Sequence, residues 1–250
     1  GQSQSRGCQQ TDQIEIRRMI VSRWKLFLEW GSILSLIACA YWIFMLTPIE
    51  TSQGFSQKIM YLHVPTVIVT YLAFFIVFAF SIAYLWKRDL MFDRIAKSSA
   101  EIGLLFCALV LISGAVWGRP TWGTYWVWDA RLTTTLLLFL IFMGYFLLRM
   151  STEDRDKESR LAAVIGIIGF LDIPIIHKSV EWWRTLHQPT TLFKTEDGMA
   201  KPSIPDELLY PLLATMMAML LFYLFLLQLR YRMETSQDEL KQLMAQDRMD

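Results

Sequence analysis

Six long apolar runs constrain this chain more than any other feature, because each is long enough to cross a lipid bilayer. A transmembrane helix needs roughly 20 predominantly apolar residues. A backbone inside lipid has to satisfy its own hydrogen bonds, so we expect all six runs to be helices. The runs are 25–47, 64–86, 99–117, 132–150, 161–178 and 207–229. The sequence therefore predicts an all-α integral membrane protein with six transmembrane helices.

The composition agrees with this class. Hydrophobic residues make up 54% of the chain, which is high for a soluble domain. The net charge of +1 comes without a basic stripe and gives no indication of nucleic-acid binding. The three cysteines, Cys8, Cys39 and Cys107, form no CxxC or CxxCH motif. We therefore predict neither a disulfide framework nor covalent haem attachment on this chain.

Lysine and arginine are divided unequally between the two sets of loops. Of the 24 such residues, 17 lie in the N-terminal segment together with Lys25, in the loops 87–98 and 149–160, and in the C-terminal tail. Because positive charge accumulates on the cytoplasmic side, both termini are predicted to be cytoplasmic. The loops 48–63, 117–131 and 179–206 are then external.

This topology divides the chain into three parts. Residues 1–24 are predicted to be a cytoplasmic segment, and their first 22 residues contain no apolar stretch typical of a cleavable signal peptide. Residues 25–229 form the six-helix domain. Residues 230–250 are predicted to be a polar cytoplasmic tail, helical and solvated.

The external segment 117–131 reads WGRPTWGTYWVWDAR and concentrates four indole rings. A belt of aromatic residues at the membrane interface explains single tryptophans, but it would spread rings around the protein. Gly118 and Gly123 permit close backbone approach to a plate-like ligand. The four tryptophans are Trp117, Trp122, Trp126 and Trp128. This pattern favours a binding surface for a flat apolar molecule.

The chain has only three histidines, His63, His177 and His187, and all three fall on the predicted external side. Structural zinc would need four ligands, and no cysteine is available on that side. A nucleophile motif for a catalytic triad is also missing from the sequence. Haem fits the residues better, since its iron takes two axial ligands that histidines from separate loops can supply.

Charged residues near the tryptophans are also suited to haem. Arginine pairs with carboxylates such as haem propionates through a planar fork. The candidates on the external side are Arg119, Arg131 and Arg184. Asp129 either contacts the ligand or caps and hydrogen-bonds within the loop, and both alternatives stay open.

The segment WGRPTWGTYWVWDARLT resembles the WWD signature of the haem-handling membrane proteins. Within that family the chain is similar to the C component of the bacterial cytochrome c maturation system. Three further stretches agree, namely YLHVP at 61–65, EIG at the start of the third run, and IPIIHKSVEWWRTLHQP at 173–189. The resemblance covers residues from about 50 to 190.

The resemblance implies a site that holds haem b between His63 and His187 as axial ligands to the iron. It also implies a haem platform built from the tryptophan segment. The platform residues are Trp117, Gly118, Trp122, Gly123, Trp126, Trp128 and Asp129. His177 is expected to be structural, and it is the first substitute if either ligand were wrong.

The resemblance further implies a location in the bacterial inner membrane or, less commonly, the mitochondrial inner membrane. Members deliver haem on the outer face to a membrane-anchored haem chaperone. They work with the ATPase and membrane subunits of an ABC transporter and with a small membrane subunit. We therefore expect a protein that binds and transfers haem and is not itself an enzyme.

Three rival interpretations remain. A cytochrome c synthetase of the same superfamily would be larger and would carry histidines deep within its spans. A permease subunit would show a polar path or broken helices inside the membrane. A scaffold subunit with an aromatic belt would bind no haem.

Overall fold

The structure, a computed structural model, describes residues 25–183, 185–187, 193–196, 199–202 and 204–246. The first helix ends in a π-helical turn, Trp42–Leu46. A 3₁₀ turn, Phe55–Ile59, leads directly into the second helix. The elements are α1 (Lys25–Leu46), α2 (Met60–Lys87), α3 (Leu90–Trp122), α4 (Ala130–Ser151), α5 (Arg155–Phe170), α6 (Asp172–Trp182), β1 (Phe193–Glu196), β2 (Met199–Pro202) and α7 (Asp206–Gln246).

Six helical stretches are long and apolar enough to cross a membrane, which confirms the predicted membrane architecture. The fifth stretch consists of α5 and α6 together. One feature was not predicted from the sequence. Strands β1 and β2 form an antiparallel hairpin between α6 and α7, with Phe193 opposite Pro202. The hairpin lies outside the six stretches and leaves the helical fold class unchanged.

Helix α3 is longer than the predicted run 99–117 at both ends. At its start the Asp89 side chain accepts a hydrogen bond from the Met91 backbone N–H at 2.8 Å, which is an N-cap. At its end Gly123 adopts a left-handed conformation with φ +82°, which is typical of a helix C-cap. These two caps place the helix ends several residues beyond the apolar run.

The fifth span is interrupted at Leu171, between α5 and α6. Pro174 falls in the first turn of α6, where a residue without an N–H is tolerated. Asp172, the first residue of α6, is buried at this break. The sequence predicted one unbroken helix over 161–178, which contains both residues.

Helices α2 to α6 form the main core. Phe74 on α2 and Phe142 on α4 stack with their ring centroids 3.7 Å apart. A Cβ added to Gly103 would lie 2.8 Å from Phe74 Cε1, and one added to Gly166 would lie 2.8 Å from Val77 Cγ1. Small residues at these crossings therefore let α3 and α5 approach α2 closely, as is common in membrane bundles.

Lys58 fixes the end of α1 to the start of α2. Its buried ammonium group donates hydrogen bonds to the carbonyl oxygens of Ile43 at 2.6 Å, Thr47 at 3.2 Å and Phe44 at 3.3 Å. Carbonyl groups at the end of a helix lack partners within the helix. The lysine therefore satisfies the last carbonyls of α1.

Buried charged and polar side chains connect three helices at one end of the bundle. We call them the Arg149 cluster (Arg149, Asp93, Tyr145, Glu158 and Ser159). Arg149 donates to Asp93 Oδ1 at 2.5 Å, Tyr145 Oη at 2.7 Å and Glu158 Oε1 at 2.8 Å. Ser159 also donates to Asp93, at 3.0 Å. The cluster connects the start of α3, the end of α4 and the start of α5.

Helix α7 continues without a break from its apolar part to Gln246, so the described part of the predicted tail, 230–246, is helical as expected. One face of it is not solvated, which corrects the expectation of a free tail. Asp238 accepts from Arg94 on α3 at 2.8 Å and from Arg155 on α5 at 3.2 Å. Glu234 pairs with Lys97 at 2.7 Å. These ion pairs attach the tail to the end of the bundle that holds the Arg149 cluster.

Candidate functional site

His63 lies in the first turn of α2 and faces α3. Its Nδ1 atom is 2.9 Å from the hydroxyl oxygen of Ser113, and its ring meets Trp117 edge-on, with centroids 5.7 Å apart. A Cβ added to Gly114 would lie 3.1 Å from His63 Cε1, so this glycine gives the imidazole its space. Within the described residues the Nε2 atom has no hydrogen-bond partner, and it is not fully buried.

Trp117 is tied to the loop that precedes α2. Its indole N–H donates to Gln53 Oε1 at 3.1 Å. The Gln53 backbone N–H in turn donates to Glu50 Oε2 at 2.6 Å. The ring beside His63 is therefore fixed from two sides, by its helix and by the loop between α1 and α2.

The first part of the tryptophan segment is helical, although the sequence predicted a loop from residue 117. Trp117 to Trp122 form the last turns of α3. A Cβ added to Gly118 would lie 3.1 Å from Trp122 Cε3, so Gly118 lets the Trp122 ring lie against the helix. The helix ends at Trp122, so Trp126 does not share a helix face with it.

Replacing Gly123 by alanine should lower the stability of this turn. An L side chain at φ +82° is strained, by about 1–2 kcal/mol. The matched control is Gly144→Ala in α4, where an added Cβ meets nothing within 4 Å. Thermal unfolding in detergent should show a lower midpoint for Gly123→Ala and an unchanged or higher midpoint for Gly144→Ala. Equal midpoints in the two variants would contradict this assignment.

His187 is held by Asp129, the N-cap residue of α4. Asp129 Oδ1 accepts from the Leu132 backbone N–H at 2.8 Å. Its Oδ2 atom accepts from the Thr185 hydroxyl at 3.0 Å and lies 3.3 Å from His187 Nδ1. The His187 backbone N–H also donates to the Thr185 hydroxyl at 2.8 Å. One carboxylate therefore starts α4 and orients the histidine, so the second alternative for Asp129 is the one the geometry favours.

The protonation of this pair follows from its surroundings. Burial raises the pKa of the Asp129 carboxyl, but hydrogen bonds from Leu132, His187 and Thr185 outweigh it and bring the pKa below its ordinary value. Burial lowers the pKa of His187, and Asp129 opposes this shift only in part. A carboxylate can only accept hydrogen bonds, so a neutral His187 donates from Nδ1 and keeps its lone pair on Nε2.

The two histidines lie at the same end of the bundle, opposite the Arg149 cluster. Trp122 meets the His187 ring edge-on, with centroids 4.7 Å apart. His187 and Arg131 both lie within electrostatic range of His63. We call His63, Trp117, Trp122, Asp129 and His187 the histidine site.

The three candidate arginines differ in their surroundings. Arg131, in the first turn of α4, is half-buried; its Nε atom is buried without a hydrogen-bond partner in the described part of the chain. Arg119 is exposed, donates to the Gly123 carbonyl oxygen and lies over the Tyr125 ring at 5.7 Å. Arg119 therefore helps to end α3. Arg184 falls outside the described residues.

Trp126 and Trp128 form a second aromatic pair in the loop before α4. Their rings meet edge-on, with centroids 5.5 Å apart. The Trp126 indole N–H is buried and has no acceptor among the described residues, whereas the Trp128 ring is 76% exposed. The pair thus has one indole N–H, on Trp126, without an acceptor in the described residues, and one exposed ring, on Trp128.

His177 is separate from the histidine site. It is exposed on α6, and in the described ranges no hydrogen bond, ion pair or ring contact joins it to His63 or His187. Those ranges also contain no group of three or more His, Cys, Asp or Glu residues placed to hold a metal ion. The described geometry therefore offers two imidazoles at the same end of the bundle and no larger ligand cluster.

Comparison with known proteins identifies the family. The family model described as Heme exporter protein C matches residues 11–246. The chain belongs to the Heme exporter protein C family. Heme exporter protein C of Haemophilus influenzae is 40% identical over 202 residues, which cover 80% of each chain. Heme exporter protein C of Bradyrhizobium diazoefficiens is 39% identical, over 80% of this chain and 75% of its own.

A plant mitochondrial protein is also similar. The putative cytochrome c biosynthesis ccmC-like mitochondrial protein of Marchantia polymorpha is 38% identical over 145 residues. That match covers 58% of this chain and 61% of the plant protein. Sequences related to this Heme exporter protein C family member therefore occur in both bacteria and mitochondria.

Three residues of this family member contact the histidine site without having been predicted from the sequence. They are Gln53, Ser113 and Thr185. The spacing Thr-x-His could have indicated the role of Thr185, since a threonine hydroxyl can accept a hydrogen bond from the backbone N–H two residues later. Ser113 lies four residues before Trp117 on α3 and so shares its face. Gln53 had no local signal.

Proposed function

We propose that this chain binds haem b at the histidine site and delivers it to a membrane-anchored haem chaperone during cytochrome c biogenesis. The observation that carries the proposal is the arrangement of His63 and His187 at one end of the bundle. Each ring is held through Nδ1, and each Nε2 atom is without a partner in the described residues and not fully buried. Membership of the Heme exporter protein C family supports the same conclusion.

The other residues of the site fit a flat, apolar molecule with acidic groups. Trp117 and Trp122 each present an edge to one of the two histidines and provide apolar surface. Burying such surface contributes about 25 cal/mol per Å². Asp129 lies within electrostatic range of the Arg131 guanidinium, but no ion pair to Arg131 is found in the described ranges and its buried Nε atom has no acceptor there. A propionate would satisfy it, since a buried donor without an acceptor is unfavourable.

Haem is the cargo in this proposal, and its iron is the group that the histidines ligate. The chain's own residues orient the ligands and the macrocycle. Asp129 fixes His187, Gln53 fixes Trp117, and Gly123 ends α3 so that the chain can turn toward Trp126. Binding and release would make and break only the coordination bonds between the imidazoles and iron and no covalent bond of the protein, so we assign the chain no catalytic residue.

The same proposal covers location and partners. The excess of Lys and Arg at the end opposite the histidine site supports cytoplasmic termini. The histidine site then lies on the outer face of the bacterial inner membrane. The partners are the haem chaperone, the ATPase and membrane subunits of an ABC transporter, and a small membrane subunit.

An absorption spectrum of the detergent-purified chain, reconstituted with haem, tests the proposal. The wild type should retain haem and show a Soret band, whereas the His63→Ala, His187→Ala double variant should lose most of it. His177→Ala is the matched control and should behave as the wild type, because His177 lies outside the site. Loading of co-expressed chaperone, followed by haem staining, should change in parallel.

Two results would overturn the proposal. One is a wild type that takes up no haem after reconstitution. The other is a double variant that retains haem and loads the chaperone as well as His177→Ala does.

A further inference from the structure

We infer that Ser113 is a positioning residue that sets the tautomer of His63, placing the ring proton on Nδ1 and leaving the Nε2 lone pair free for a metal. This inference extends the proposed function, on which its use in haem ligation rests. The position of the proton itself is a property of the chain without haem.

The argument begins with the single proton of the Ser113 hydroxyl. The Ser113 oxygen lies 2.6 Å from the Leu109 carbonyl oxygen and 3.3 Å from that of Val110. A carbonyl oxygen can only accept. Two oxygens 2.6 Å apart repel unless a proton lies between them, and this distance is typical of a short O–H···O hydrogen bond. The hydroxyl proton therefore belongs to the contact with Leu109.

The ring proton of His63 follows from that assignment. Ser113 Oγ is 2.9 Å from His63 Nδ1 and now has only lone pairs to offer. The contact is a hydrogen bond only if Nδ1 carries a proton and donates. In a neutral imidazole the other nitrogen, Nε2, is then unprotonated. The alternative tautomer would place two lone pairs face to face and would lose this bond.

A ring turned over by 180° would place a C–H group beside the Ser113 oxygen and would lose the same hydrogen bond. Gly114 leaves only enough space for the His63 edge, since even an added Cβ would come to 3.1 Å of Cε1. Trp117 meets the ring edge-on from the next turn of α3. Ser113 itself is 7% exposed, so water does not readily replace it as the partner of Nδ1.

Both histidines are thus protonated at Nδ1, but the side chains that accept this proton's hydrogen bond differ. Asp129 accepts from His187 Nδ1 with a carboxylate, whereas Ser113 accepts from His63 with a neutral hydroxyl. A partner on the far nitrogen fixes the tautomer and orientation of a metal-binding histidine. Ser113 is therefore the counterpart of Asp129 on the other side of the site.

The first test uses the chain without haem. Ring ¹⁵N-labelled histidine gives three sets of signals, since the chain has three histidines, and single histidine variants assign them. Spectra are recorded at a pH well above the ordinary histidine pKa. Wild-type His63 should show a protonated Nδ1 and an unprotonated Nε2. Ser113→Ala should give a mixture of tautomers, and Ser113→Thr should restore the single form.

The matched control is Ser179→Ala. Ser179 is fully buried, at 0% exposure against 7% for Ser113, and donates to the Ile176 carbonyl oxygen at 2.7 Å, but no histidine contact is found for it in the described residues. This variant should leave the His63 signals unchanged. A wild-type His63 protonated at Nε2, or His63 signals unaffected by Ser113→Ala, would overturn the inference.

A haem titration separates this inference from the proposed function. We expect Ser113→Ala to bind haem about tenfold to 100-fold more weakly than the wild type and than Ser179→Ala. A wild type with the expected tautomer that binds no haem would refute the proposed function and leave the tautomer assignment standing. Haem affinity equal in all three proteins would overturn the role of Ser113 in ligation.

Discussion

Replacing Arg149 by methionine is expected to destabilise the fold by about 3–5 kcal/mol, because it leaves two buried carboxylates without their main cation. The carboxylate of Asp93 is 2% exposed and accepts from Arg149 at 2.5 Å. Glu158 accepts from the same guanidinium at 2.8 Å. The other cation near Asp93 is Arg155, at 3.5 Å and more exposed. It cannot replace a bidentate partner at the centre of the cluster.

The control for this prediction is Arg160→Met on α5. Arg160 is 52% exposed and pairs with Asp156 one turn away, an arrangement that contributes less than about 1 kcal/mol. Unfolding in detergent, followed by tryptophan fluorescence, gives the stability of each variant. Equal losses in Arg149→Met and Arg160→Met would show that the Arg149 cluster contributes no more than a surface pair.

A second variant tests the cause. If the loss in Arg149→Met comes from the unpaired charge, adding Asp93→Asn should recover part of it, since the most buried carboxylate is then neutral. If the loss came from the shape of the side chain, the second substitution would add to it. A double-mutant cycle over these two positions separates the two explanations.

The number of membrane spans and their helical nature followed from the sequence, because hydrophobic length is a local property. The ends of the helices were harder to predict from the sequence. Helix α3 continues to Trp122 through Arg119 and Pro120, which are not part of an apolar run. Its end depends on the left-handed turn at Gly123 and on the bond from Arg119 to the Gly123 carbonyl. Such capping contacts extend a helix beyond its apolar part.

Two residues in the sequence of the fifth span are compatible either with a break in the helix or with its end. Asp172 and Pro174 lie within the predicted run 161–178, and a polar residue and a proline occur both at a helix break and at the end of a span. In the structure they begin a new helix, α6, after Leu171. Helix α6 then leads through Trp182 toward the segment that contains His187. The choice between a break and an end depends on packing against neighbouring helices, which the sequence does not contain.

Within the site, residue types were easier to predict than their partners. The tryptophans and histidines stood out by clustering and by rarity. Ser113 is an ordinary serine in an apolar helix, and its importance comes only from its position opposite His63, 50 residues away in the chain. Gln53 is similar, since its contact with Trp117 spans 64 residues. Such pairs depend on how the helices cross.

Replacing Asp129 by asparagine is expected to weaken haem binding about tenfold to 100-fold while the fold survives. Asparagine can keep its oxygen toward Leu132 and continue to cap α4. It then presents an NH₂ group, a donor, where Asp129 Oδ2 accepts from His187 and Thr185. His187 Nδ1 must become the acceptor, so its proton moves to Nε2 and blocks the atom that would bind iron.

The control for this prediction is Asp89→Asn at the start of α3. Asp89 is also an N-cap carboxylate, with a bond of 2.8 Å from the Met91 N–H, but it lies at the end of the bundle opposite the histidine site. Both variants should unfold within about 1 kcal/mol of the wild type, and only Asp129→Asn should lose haem in the titration. Asp129→Ala should lose both haem and stability, because it removes the cap as well. Normal haem binding by Asp129→Asn would mean that His187 reaches its binding tautomer without this carboxylate, and that Asp129 serves α4 alone.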